Sequence, residues 1–269
     1  MSPGRFLGSE LRMVLGRRRN HVLLAILALV PVLIGIAVKA SGQDASGGSI
    51  FGGITRNGLF AVLAAFLVVT PLFLPLVVSV VAGDAIAGEA NTGTLRYLLT
   101  VPVGRSRLLG AKLTAIAVWC LVCAVTLAGI GAVAGLFLFP AGRLTLLSGH
   151  TVSYAQGLGR LSLVVLYVAA SALTVGAIGL FVSTMTEVPI AAMAATLTLT
   201  VVSEVADAVP QLARIHGWLP SHYWLQWVDL LRDPVYTGDM ATGLLVTLGY
   251  VAFFVALAWA RFSGKDVTS

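Results

Sequence analysis

Charge is what this chain has least of. Of its 269 residues only 10% are Asp, Glu, Lys or Arg, while 58% are hydrophobic, and mean hydropathy is +0.96. A soluble domain carries about 25% charged residues. The shortfall excludes a water-soluble globule and points to an integral membrane protein. Cysteine is scarce too: the two present, Cys120 and Cys123, form a CxxC inside an apolar run. A thioredoxin-type centre needs a solvent-reachable thiolate beside a βαβ unit, so these two read as small packing residues. His21, His150, His216 and His222 show no metal-ligand spacing of known type, and no metal site is expected.

Catalytic motifs are missing as well. The sequence holds no GxxxxGK[ST], GxSxG or HExxH, and Lys112, in LLGAKL, lacks the glycine-rich phosphate cradle of a P-loop. Matching broken helices in two inverted halves, the mark of many secondary transporters, are not evident either. The chain is therefore expected not to be an enzyme and to hold no cofactor of its own. Its formal charge of +6 sits at segment ends rather than on one face. That distribution speaks of topology and lipid headgroups, not nucleic acid.

Hydrophobic length is what the chain has in abundance. A membrane-crossing helix needs about 20 mostly apolar residues, and six segments qualify: 22–39, 59–82, 110–139, 160–184, 188–209 and 242–261. The fourth and fifth are separated by the tight turn Thr184 to Val188, with Pro189 opening the next helix. Residues 3–19 form an amphipathic helix lying in the interface (1–21 as a whole), with Leu7, Leu11, Val14 and Leu15 on one face and Arg5, Ser9 and Arg12 away from it. Arg17, Arg18 and Arg19 are expected at anionic headgroups. The apolar run 22–38 has 17 residues, longer than a signal-peptide core of about 7–15, so a retained first span is expected. With the N-terminus inside, eleven of the 17 Lys and Arg residues fall on inner segments, which puts both termini in the cytoplasm.

The stretch Gly83 to Lys112, GDAIAGEANTGTLRYLLTVPVGRSRLLGAK, is the one long charged, glycine-punctuated segment between two apolar runs. A short helix fits Thr94 to Thr100, with Asn91, Thr92 or Thr94 as caps, and Pro102 ends it. A second helix restarts near Arg105. This small docking surface at the cytoplasmic edge is where force from a soluble partner would enter.

Inside the membrane, Thr196, Thr200, Ser203 and Asp207 fall on one face of the fifth span, with Glu204 beside them. Either this stripe lines a path, or the hydroxyls serve their own helix. Pro71 and Pro75 predict a kinked second span, as a gate or as a packing fit. Gly131 and Gly135, and Gly176 and Gly179, predict close helix contacts. The segment 210–241 carries Trp218, Tyr223, Trp224, Trp227 and Tyr236 between prolines. It reads as short interfacial helices, either an extracellular lid or an aromatic belt.

The pattern resembles the permease subunits of ABC-2 type ABC transporters. The carrying residues are Gly88-Glu89, Gly93-Thr94-Leu95, the LLTVPVGRSRLLGAK run to Lys112, and RFSGKDV from Arg261. The resemblance implies a single all-α transmembrane domain over 1–269. It would comprise the interfacial helix, six spans, a cytoplasmic coupling helix between the second and third, and short extracellular helices between the fifth and sixth. It also implies a bacterial inner-membrane exporter of amphipathic or hydrophobic compounds. Two ATP-binding subunits would hold ATP and Mg, and the permease would pair with a second copy or a related permease among membrane lipids. By the same resemblance Glu89, Gly93, Thr94, Leu95 and Arg96 lie at the coupling contact, Arg105 and Arg107 at the helix restart, and Glu187 at a smaller contact. A non-transporting scaffold or signalling subunit, binding a regulator through 83–112, is the competing reading.

Overall fold

The computed structural model describes residues 3–40, 57–93, 104–139, 144–146 and 148–264. Their elements are α1 (Pro3–Gly16), α2 (Arg18–Ala40), α3 (Leu59–Val69), α4 (Phe73–Asn91), α5 (Arg105–Leu138), α6 (Tyr154–Met185), α7 (Pro189–Ala208), α8 (Ala213–His216) and α9 (Gly238–Gly264). Three short 3₁₀ turns lie between α7 and α9. A two-residue antiparallel ladder, β1 (Leu144–Thr145) with β2 (Thr151–Val152), is an element that the sequence reading did not anticipate. Six helices (α2, α4, α5, α6, α7 and α9) are long and apolar enough to cross a membrane.

α6 is the central helix. In its most apolar stretch 78% of the residues are buried inside the chain, against 6% for α9. It packs on α4, α5, α7 and α9. Glycines set the distances. A Cβ on Gly176 would stand 2.5 Å from Ile116 Cγ2, and one on Gly179 would stand 2.6 Å from Ala82 Cβ. Gly131 lies against Pro31 and Val62, and Gly135 meets the backbone of Gly58. All four glycines anticipated at helix contacts are therefore used there, where removing the side chain lets backbones approach. Cys120 and Cys123 are fully buried free thiols in α5, as packing residues are.

The second span differs from expectation. Instead of a kinked helix over 59–82, the chain breaks completely at 70–72. Thr70 donates the last bond of α3, to Phe66 O, at 2.9 Å. Pro71 lacks an N–H and its ring crowds the preceding turn, which stops the helix there. Pro75 falls in the first turn of α4, where proline is tolerated because those N–H groups have no helical partner. α4 then runs on to Asn91, nine residues past the expected end at Ala82. Asp84 and Glu89 are thereby helical, not loop, residues. Thr92 Oγ1 donates to Gly88 O at 3.0 Å, and Gly93 takes φ +71°, a left-handed helix end that favours glycine. The helix anticipated over Thr94 to Thr100 lies outside the described residues.

Candidate functional site

The charged end of the bundle is built from three helices that meet where α4 ends and α5 begins. Lys112, in the second turn of α5, is 3% exposed. Its Nζ donates to Glu89 Oε1 at 2.6 Å and to Glu10 Oε2 at 3.2 Å. One turn back along α4, Asp84 Oδ2 accepts from Arg19 Nη2 at 3.0 Å and from Arg17 Nη1. Three acids thus face three bases, and Glu10, Glu89 and Asp84 are all buried. Charges withdrawn from water are tolerable only with such partners. The arrangement clamps α1, the α1–α2 elbow, α4 and α5 together.

Local sequence explains the clamp. Phe6 and Glu10 are one helical turn apart, so both fall on the buried face of α1, with Leu7, Leu11, Val14 and Leu15 half-buried on its flanks. Arg5, Ser9 and Arg12 are exposed, as the periodicity indicated. The elbow is fixed by Asn20, whose Nδ2 donates to Val14 O at 2.6 Å. Arg17 and Arg19 consequently reach Asp84 while their side chains stay 41% exposed, and Arg18 beside them is exposed too. Gly88 makes room for the Asp84 carboxylate.

The residues anticipated at the coupling contact separate into three groups. Glu89 is buried within the ion network, so it does not stand on a docking surface. Gly93, Arg107 and Glu187 are exposed, the last in the turn between α6 and α7. Arg105 is half-buried and caps the far end of α9, donating to Phe262 O at 3.0 Å and to Ser263 O. Trp259 Nε1 donates to Ser106 Oγ at 2.9 Å beside it. Thr94, Leu95 and Arg96 lie outside the described residues. Sequence reading missed Glu10, Asp84 and Lys112 as one cluster. Their signal was three ionisable residues on otherwise apolar helix faces.

The polar stripe of α7 turns inward. Thr196, Thr200 and Ser203 are buried, and Thr196 packs on Gly179 of α6. Thr196 Oγ1 donates to Ala192 O at 2.7 Å and Thr200 Oγ1 to Thr196 O at 2.9 Å. These two hydroxyls therefore serve their own helix. Ser203 Oγ is 2.6 Å from Ser221 Oγ in the segment that follows. Glu204 and Asp207 are half-buried at the end of α7. The outward face of α7 is apolar, with Val202 and Val205 exposed.

The aromatic segment between α7 and α9 divides in two. Trp224 and Trp227 are core residues, Trp227 edge-on to Phe66 with ring centroids 6.0 Å apart. Tyr223 is half-buried, its carbonyl accepting from Tyr167 at 2.7 Å. Trp218 is 78% exposed. Arg160 of α6 anchors the segment through Leu230 O at 2.8 Å and Arg232 O at 2.9 Å. The segment also brings His216 and His222 to Asp207, although the sequence reading found no metal-ligand spacing.

Six membrane-length helices, closed at one end by a buried ion network, define a multi-pass membrane protein. The chain belongs to the ABC-2 family of transporters, whose family model matches residues 16–203. It is similar to the probable ABC transporter permease protein NosY of Stutzerimonas stutzeri, 38% identical over 98 residues, covering 35% of this chain and 32% of the relative. The NosY protein of Pseudomonas aeruginosa is 36% identical over 94 residues, with 35% and 32% covered. The matched part spans about a third of the length of these relatives.

Proposed function

We propose that this chain is the membrane subunit of an ATP-driven exporter, driven through the connection 94–103 by a separate ATP-binding subunit that holds ATP and Mg. The ion network carries the reading. Both ends of that connection, α4 at Asn91 and α5 at Arg105, lead directly into helices clamped by Glu89, Lys112 and Glu10. A push on the connection therefore moves α1, α4 and α5 as one body. Arg105 extends the same body to α9.

In this scheme Thr94, Leu95 and Arg96 meet the ATP-binding subunit, with the exposed Gly93, Arg107 and Glu187 around them. Glu89 transmits force instead of making contact. The charged end and both termini are cytoplasmic. ATP shifts the membrane subunit between inward and outward states only through a contact that differs between those states. The cargo is amphipathic or hydrophobic, and a second permease completes the path, with Glu204 and Asp207 near its far end. Pro71 and Pro75 supply the hinge between α3 and α4.

Purification of the tagged chain in mild detergent tests the reading. A near-stoichiometric ATP-binding subunit, lost on Leu95→Asp, is the expected outcome. ATP-dependent transport in vesicles should fall at least tenfold in Glu89→Gln while the ATP-binding subunit stays bound. A preparation with no such partner overturns the assignment.

A further inference from the structure

We infer that Asp207, His216 and His222 form a binding site for a divalent transition-metal cation of the zinc class, at the end of the bundle opposite the ion network. One ligand atom from each lies within 4.8 Å of those of the other two. His222 Nδ1 is 2.7 Å and His216 Nδ1 3.9 Å from the same atom, Asp207 Oδ1. Ligand atoms on a tetrahedral zinc, at bond lengths of ~2.0–2.1 Å, stand about 3.3 Å apart. The two Asp207 pairs bracket that value, and the third pair, His216 with His222, lies within 4.8 Å, so side-chain rotation rather than backbone movement completes the site.

A further contact prepares His216 for the role. Its Nε2 is 3.1 Å from Val209 O. A carbonyl only accepts, so Nε2 carries a hydrogen, and Nδ1 is the ring nitrogen left facing Asp207. A backbone carbonyl holding the remote nitrogen is the usual support of a metal-bound histidine. Nδ1 and the Asp207 carboxylate thus face each other across 3.9 Å, a gap in which a cation takes the place of a ring proton. The hydrogen between His222 Nδ1 and Asp207 is what the cation displaces. All three side chains are 18–35% exposed, which leaves an entry route and a coordination position for water.

Imidazole and carboxylate ligands suit zinc and its neighbours, whereas magnesium and calcium prefer all-oxygen sets. The consequence is mechanical. Asp207 ends α7, and His216 and His222 belong to the segment that caps the bundle. A bound cation fastens that cap to α7, beside the Ser203–Ser221 hydrogen bond. The inference is independent of the exporter reading.

The test is zinc titration of the chelator-stripped full-length chain in detergent, by calorimetry or against a chromophoric chelator. One equivalent should bind to the native chain and to His150→Gln, whose histidine lies outside the cluster. His216→Gln and His222→Gln should each weaken binding at least tenfold with unchanged gel-filtration elution. Should those variants misfold, cobalt(II) added to the native chain should give the intense visible bands of a four- or five-coordinate nitrogen-bearing site. Absence of a tight equivalent, equal binding by well-folded variants, or a purely octahedral cobalt spectrum overturns the site.

Discussion

Gly88 and Asp84 stand one helical turn apart on α4, so close that a Cβ on Gly88 would lie 2.5 Å from Asp84 Oδ1. The bare glycine is what lets the carboxylate reach Arg17 and Arg19. Gly88→Ala gains about 1 kcal/mol of helix propensity, yet it swings the carboxylate off both guanidiniums. Overpacking costs ~1–3 kcal/mol, so the net effect is a loss of up to about 2 kcal/mol. Thermal unfolding in detergent measures it, and an unchanged or raised midpoint would show that Asp84 yields freely.

Removing the base at the centre of the network should be worse. Lys112→Met leaves Glu10 and Glu89 buried with no cation between them, and breaking a buried pair costs ~3–5 kcal/mol. Adding Glu10→Gln and Glu89→Gln to Lys112→Met should recover much of that loss, because no uncompensated charge remains. A single variant as stable as the native chain would refute the clamp.

Glycines of α5 offer a matched pair. A Cβ on Gly135 would stand 2.4 Å from Gly58 O, a backbone atom that cannot rotate aside, whereas one on Gly129 meets nothing within 4 Å. Gly135→Ala should lose about 1–3 kcal/mol or more, and Gly129→Ala should be neutral or gain up to about 1 kcal/mol. Equal midpoints for the two would mean that α3 and α5 are not in contact there.

Two tryptophans of one segment should differ as sharply. Trp227 is fully buried against Phe66, and Trp218 is largely exposed. Trp227→Ala should cost ~3–5 kcal/mol. Trp218→Ala should stay within about 0.5 kcal/mol. Denaturation of both variants, followed by near-ultraviolet circular dichroism, distinguishes a core aromatic from a surface one.

Hydrophobic run length and glycine spacing determined the all-helical membrane fold and its close helix contacts, because any chain with those runs must satisfy its backbone internally. The helix restart near Arg105 and the start of α7 at Pro189 were equally local. The exposed face of α1 followed from period alone. What period could not reveal was which partner each face would meet. Glu10 read as an ordinary charge on an amphipathic helix until α5 placed Lys112 against it. Asp84 and Glu89 read as loop residues because charge normally ends a span; only pairing across 65 or more and 23 positions respectively allows them in a helix. Thr196 and Thr200 shared a face by spacing, but whether that face met water or α6 depended on Gly179. Likewise Asp207, His216 and His222 carry no recognisable spacing, since a folded-back chain, not a helix repeat, brings them together. Local sequence determined the elements; the chemistry at both ends was decided by contacts that exist only once the helices pack.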